Sequence, residues 1–70
     1  MVTSHGVAIV SDPDRDRVMT VSLAKRSLEE TIELGEGAFP GKATEGADGE
    51  VFVALRGTGE VLQLSSKGKE

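Results

Sequence analysis

Three aspartates at alternate positions, Asp12, Asp14 and Asp16, form the most metal-like pattern in the chain. Alternating carboxylates open many calcium loops because they can wrap one cation. Such a loop next requires Gly where Arg17 stands and a bidentate Glu where Leu23 stands. Neither is present, so the run reads as a solvated turn whose side chains cap backbone N–H groups, and no metal site is assigned. Phe39-Pro40-Gly41-Lys42 has the look of a phosphate loop, but a Walker motif needs Gly at Glu36 and Ser or Thr at Ala43. The glycines at 35, 37 and 41 also miss G-x-G-x-x-G by one place, which leaves a flexible connection. His5 is the only histidine and cysteine is absent, so two-histidine, thiolate and C-x-x-C-H sites are ruled out within one chain. Glu29, Glu30, Glu33 and Glu36 are spread along one strand and its exit. Paired acid–base chemistry needs two carboxylates converging on one pocket from different environments. Arg56, beside Gly57 in a hairpin tip, is the one residue read as a binding contact, for an anion or a partner.

Those residues must be positioned by very little chain. Seventy residues make at most one small domain with a modest core and no disulfide to reinforce it. Hydrophobic residues are 37%, with Phe39 and Phe52 the only aromatics, and charged residues at 29% fit a folded chain. A net charge of −4 without any basic, aromatic-studded patch argues against nucleic acid. No apolar run approaches membrane-spanning length, and no cofactor is implied.

The pattern is that of strands and turns. After a polar lead-in over 1–6, Val7 to Val10 is an apolar β-branched run, stopped by Ser11-Asp12-Pro13. Ser11 to Asp16 is the predicted loop, and Arg17 to Leu23 alternates, with Met19, Val21 and Leu23 on one face. Leu28 to Leu34 has period two, placing Leu28, Ile32 and Leu34 together and Glu29, Thr31 and Glu33 opposite. Ser27 with Glu30 offers a helix capping box there. A strand is preferred, because the stretch is short, carries Thr31 and Ile32, and ends at Gly35. Its glutamates suit an exposed sheet edge. Gly41 to Glu45 is polar for a strand. Asp48-Gly49 is a strong hairpin turn, and Glu50 to Leu55 is apolar on both faces, as in a sheet packed on both sides. Glu60 to Ser65 is the last strand.

The second hairpin repeats the first. Val51 falls on Val7 and Val53 on Ile9, an offset of 44; past the turn Val61 falls on Val18 and Leu64 on Val21, an offset of 43. A period in the low forties with about four short strands per unit is the signature of a β-propeller blade. The second unit also resembles the YVTN (YncE-like) β-propeller repeat. Its family run of Pro entry, Asp-Gly turn, V-Y-V-A-N-like strand, Gly turn and V-x-V strand reads here Phe39-Pro40-Gly41, Asp48-Gly49, Val51-Phe52-Val53-Ala54, Arg56-Gly57-Thr58-Gly59 and Val61-Leu62-Gln63-Leu64. Phe52 stands for the family's Tyr and Leu55 for its Asn. WD40 and kelch patterns fit less well, since Trp and Gly-Gly hairpins are absent.

The resulting expectation is an all-β chain of antiparallel propeller blades, about 1.6 in number. A first partial blade spans 7–34 and a second 41–65, with strands lettered B-C-D and then A-B-C from the axis outward. The expected function is a non-catalytic scaffold for a protein or small-molecule ligand, partnered by other blades or by identical chains. The resemblance also implies two alternatives: a segment of a lactonase-type or quinone- or haem-linked propeller enzyme, or a mini-propeller assembled from copies. It further implies a periplasmic or extracellular setting.

Overall fold

The computed structural model describes residues 1–67 and Lys69. Six strands follow one another: β1 (Val7–Asp12), β2 (Arg17–Ser22), β3 (Ser27–Glu33), β4 (Pro40–Glu45), β5 (Val51–Leu55) and β6 (Glu60–Leu64). One 3-10 turn over Pro13–Arg15 is the sole helical element among the described residues, none of which forms a helix long and apolar enough to cross a membrane. The strands build two three-stranded antiparallel sheets in chain order, β1-β2-β3 and β4-β5-β6. Strand prevails over helix at β3, where Thr31 and Ile32 lose less side-chain freedom in an extended chain. The polar stretch at β4 is a strand because it needs only one apolar row: Pro40 and Ala43 are buried, while Lys42 and Thr44 are exposed.

Pairing corrects the alignment of the two hairpins. Ala8 opposite Val21, Val10 opposite Met19 and Asp12 opposite Arg17 recur as Val51 opposite Leu64, Val53 opposite Leu62 and Leu55 opposite Glu60. The offset is 43 throughout, so Val51 corresponds to Ala8 and not to Val7. Both turns have the same length, 13–16 and 56–59, and both close on a left-handed residue, Asp16 (φ 50°) and Gly59 (φ 78°). The shared pattern of alternate β-branched residues in Val7-Ala8-Ile9 and Val51-Phe52-Val53 conceals the true register. A slip of one residue matters because it moves every side chain to the other face of the sheet.

The correspondence extends into the first six residues, which are more than a lead-in. Val2 bridges Ala8 as Glu45 pairs with Val51. The Thr3 N–H donates to the Val7 carbonyl at 2.8 Å, as Gly46 does to Glu50 at 2.7 Å. Gly6 (φ 74°) closes its turn as Gly49 (φ 88°) closes the later one. The N-terminal residues therefore bridge to β1 in the way that the end of β4 and its turn meet β5.

The sheets pack face to face. Val7, Ile9, Val18 and Ile32 of the first meet Ala43, Val51, Val53, Leu55 and Leu64 of the second, with Leu34 and Leu62 against them. Three polar ties cross the seam. Ser11 Oγ donates to the Gly41 carbonyl at 2.7 Å. The Glu45 carboxylate accepts from the Ser4 hydroxyl and from the Ser4 N–H at 2.9 Å. The third is Asp16, described below. The Ser4 hydroxyl, then the Ser4 N–H, hold the Glu45 carboxyl below its ordinary pKa, and nearby His5 adds to the effect.

The remaining faces are uncovered. β5 was expected to be packed on both sides, yet Val51, Val53 and Leu55 are buried while Phe52 is half-buried and Ala54 exposed. On β3 a bulge opposite Thr20 and Val21 inserts Glu29, so Leu28 lies opposite Val21 and away from Ile32. Leu28 does not join the buried row and is 58% exposed.

Candidate functional site

Alternating strand directions bring three connections to one end of the molecule: the turn 13–16, the link 34–39 and the turn 56–59. The first turn needs a left-handed residue at position 16, and Asp tolerates that conformation better than most side chains. Here Asp does more than tolerate it. Its carboxylate accepts hydrogen bonds from the Gly37 N–H at 2.9 Å and the Phe39 N–H at 3.0 Å, and its own carbonyl accepts from Leu34 at 3.0 Å. The Phe39 N–H, then the Gly37 N–H, hold the Asp16 carboxyl below the usual carboxylate range, since both bonds favour the charged form.

Phe39 also has positive φ (49°), a costly conformation for an aromatic residue that persists only when neighbours over-determine it. The neighbours do so. Its N–H is held by Asp16, and its carbonyl accepts from the Arg56 N–H at 2.9 Å. The adjoining Ala38 carbonyl accepts from the Gly57 N–H at 2.9 Å. At position 57 a β-carbon would lie 1.7 Å from the Gly37 oxygen, so glycine is demanded by the close approach of two backbones.

The ring of Phe39 is consequently displayed, 53% exposed, at a place where a buried ring would have been expected. With Pro13, Pro40, Arg56 and Gly57 it lines an open cleft of 360 Å³. The Arg56 stem lies across Gly41, where a β-carbon would sit 2.7 Å from Arg56 Cδ. Ion pairs among the described residues join Arg15 and Arg17 to Asp12 and Lys25 to Glu29, leaving Arg56 outside them. The cleft is thus lined by one aromatic and two pyrrolidine rings, with a guanidinium that forms no ion pair among the described residues at its edge. Such a surface suits a flat apolar group carrying an anion, through ring contact and charge-assisted hydrogen bonds.

The other candidates from the sequence are dispersed. Asp12 accepts from Arg17 at 3.1 Å and Arg15 at 3.3 Å, Asp14 is exposed, and Asp16 is turned to the link. Among the described residues no three acidic or histidine side chains gather in a way that would hold a metal ion. His5 lies at the end opposite the cleft, its Nδ1 3.3 Å from Ser4 Oγ. Glu29 approaches Lys25 at 3.9 Å, and Glu33 and Glu36 are exposed. The sequence singles out Arg56, which the structure places at this cleft, but not its neighbours Phe39 and Pro13 or the clamp formed by Asp16. A usable signal was present: Phe39 is one of two aromatics and sits between Gly37 and Pro40, where no apolar periodicity calls for it.

Comparison of the chain with protein-family models, curated proteins and solved structures found no match.

Proposed function

We propose that the chain is a binding scaffold of β-propeller type, made of two consecutive blades read as B-C-D and A-B-C, and that the loop-end cleft receives an apolar ring bearing a carboxylate. The propeller reading is supported by the 43-residue period, by in-order antiparallel strands and by the packing of one sheet face on the other. The observation that carries the binding reading is Phe39, held exposed in a strained conformation by the Asp16 carboxylate beside Arg56. Backbone strain spent on displaying a ring is what a contact surface requires, whereas a mere connection would bury or omit the ring.

3-Phenylpropionate is a suitable probe. At about −0.3 kcal/mol per heavy atom, a ligand of roughly eleven atoms binds with a Kd of a few millimolar. Amide chemical shifts should move saturably at residues 37–41 and 56–57. The Arg56→Gln variant and the uncharged analogue 3-phenylpropanol should each weaken binding by about fivefold or more. No saturable shift up to about 20 mM, a concentration well above that Kd, or equal affinity in Arg56→Gln, overturns the reading.

A further inference from the structure

The register of the two sheets relates each open face to the interface formed inside the chain. On the first sheet the uncovered face carries Ala8, Val10, Met19 and Val21. Advanced by 43 residues these positions become Val51, Val53, Leu62 and Leu64, the face of the second sheet that packs against the first. On the second sheet the uncovered face carries Phe52, Ala54, Val61 and Gln63. Moved back by 43 they become Ile9, Ser11, Val18 and Thr20, the face of the first sheet that packs against the second. The sheets are therefore related by a repeated step, and each open face corresponds to one half of the interface already formed inside the chain. A two-fold relation would instead have placed equivalent positions on both sides of that interface.

We propose that the occupant of each open face is a second copy of this chain. The Ala8–Val10–Met19–Val21 face of one copy docks on the Phe52–Ala54–Val61 face of the next, repeating the intrachain packing head to tail. Leu28, opposite Val21, extends the apolar face. Val10 is 41% exposed, Leu28 58% and Val61 63%, so each face offers large aliphatic groups for burial. Because the two surfaces differ, the contact is heterologous, and successive copies close a ring or extend a filament. This rests on the register shared with the propeller reading and not on the cleft, which lies at the loop end; the phenylpropionate titration can therefore fail without it, and the reverse.

Sedimentation of the 70-residue chain with Val10→Glu and Val61→Glu variants tests the proposal. Both positions are exposed, so the glutamates leave the core unaltered, and circular dichroism checks the fold. The wild-type chain should associate with rising concentration. Each variant alone should be monomeric, because it has lost one of the two faces. An equimolar mixture should form a single heterodimer, since Val10→Glu keeps the face that Val61→Glu needs. A wild-type chain that stays a folded monomer near 7.3 kDa to about 1 mM, so that any Kd is weaker than about 1 mM, overturns the proposal. So does association of either variant alone, or a mixture that does not pair. Should a variant unfold, the concentration dependence of the wild-type chain decides by itself.

Discussion

Thr20 offers a test of the packing that does not depend on any functional reading. Its side chain is fully buried at the centre of β2, opposite Ile9 and Glu30, and its Oγ1 has no hydrogen-bond partner among the described residues. A buried hydroxyl without a partner costs about 1–3 kcal/mol in lost hydration. Valine keeps the β-branched shape and strand preference while removing the polar atom. Thr20→Val should therefore raise unfolding free energy by about 1 kcal/mol at the lower end of that range, or about 4–8 °C in Tm for a chain of this size. Thr20→Ala removes the hydroxyl and the methyl together, gives up the packing of the latter, and should fall below Thr20→Val by about 1 kcal/mol. Urea melts of the three proteins at one fixed concentration, to hold any association constant, give the order Val above Thr and Val above Ala. A Thr20→Val protein less stable than wild type by more than about 0.5 kcal/mol refutes the reasoning, because it would mean that the hydroxyl has a partner in solution.

Val53 and Glu33 separate core from edge: Val53 is fully buried, so Val53→Ala should cost about 1–3 kcal/mol, while Glu33→Ala on the exposed edge should stay within about 0.5 kcal/mol in the same melts. Gly57→Ala should part the turn 56–59 from the link, because its methyl cannot coexist with the Gly37 oxygen; rapid hydrogen exchange at the amide of position 57 and at the Arg56 amide reports the loss, and unchanged protection contradicts the close approach. The Asp16 and Glu45 carboxyls both have folded-state pKa values below their unfolded ones, so their contribution is present above the ordinary carboxylate range and lost as pH falls through the lowered values. Urea midpoints should accordingly drop below about pH 4, and Asp16→Asn should flatten that drop; an equally steep acid loss in Asp16→Asn would remove Asp16 from the account.

Much of the fold was legible because strand and turn signals are local. Asp48-Gly49, Pro13 and the period-two rows each act over a few residues, and they located every strand except β4, whose polarity obscured it. What failed was parity. Val7-Ala8-Ile9 looks more like Val51-Phe52-Val53 than Ala8-Ile9-Val10 does, but side-chain likeness does not set register. Register is set by turns of equal length closing on Asp16 and Gly59. The bulge at Glu29 was hidden for a similar reason, since an extra residue leaves the sequence period intact and changes only which face it serves. At the site, Arg56 could be placed at a tip from its glycine neighbours. The clamp on Phe39 could not, because it joins residues 23 apart through a carboxylate and a backbone N–H, and backbone partners leave no trace in side-chain types.

Comparing the two units position by position separates what the fold needs from what has been added to it. Gly6 and Gly49 serve the same left-handed turn, and both units keep glycine there. Position 16 and position 59 also share a left-handed turn, and glycine at 59 shows that the turn alone asks for no side chain. The carboxylate at Asp16 is therefore an addition, and its two acceptor bonds go to the link that bears Phe39. Pro13 and Arg56 are likewise equivalent, 43 residues apart, each first in its turn, and both line the cleft. One repeat position thus supplies a rigid apolar wall from the first unit and a cation from the second. Repetition builds the walls alike, and divergence at these two pairs, Asp16 against Gly59 and Pro13 against Arg56, makes the cleft chemically asymmetric. The proposed ligand, with one apolar and one anionic end, matches that asymmetry, and Pro13→Arg, which would make the two walls alike, should weaken 3-phenylpropionate while leaving the urea midpoint nearly unchanged at an exposed turn position.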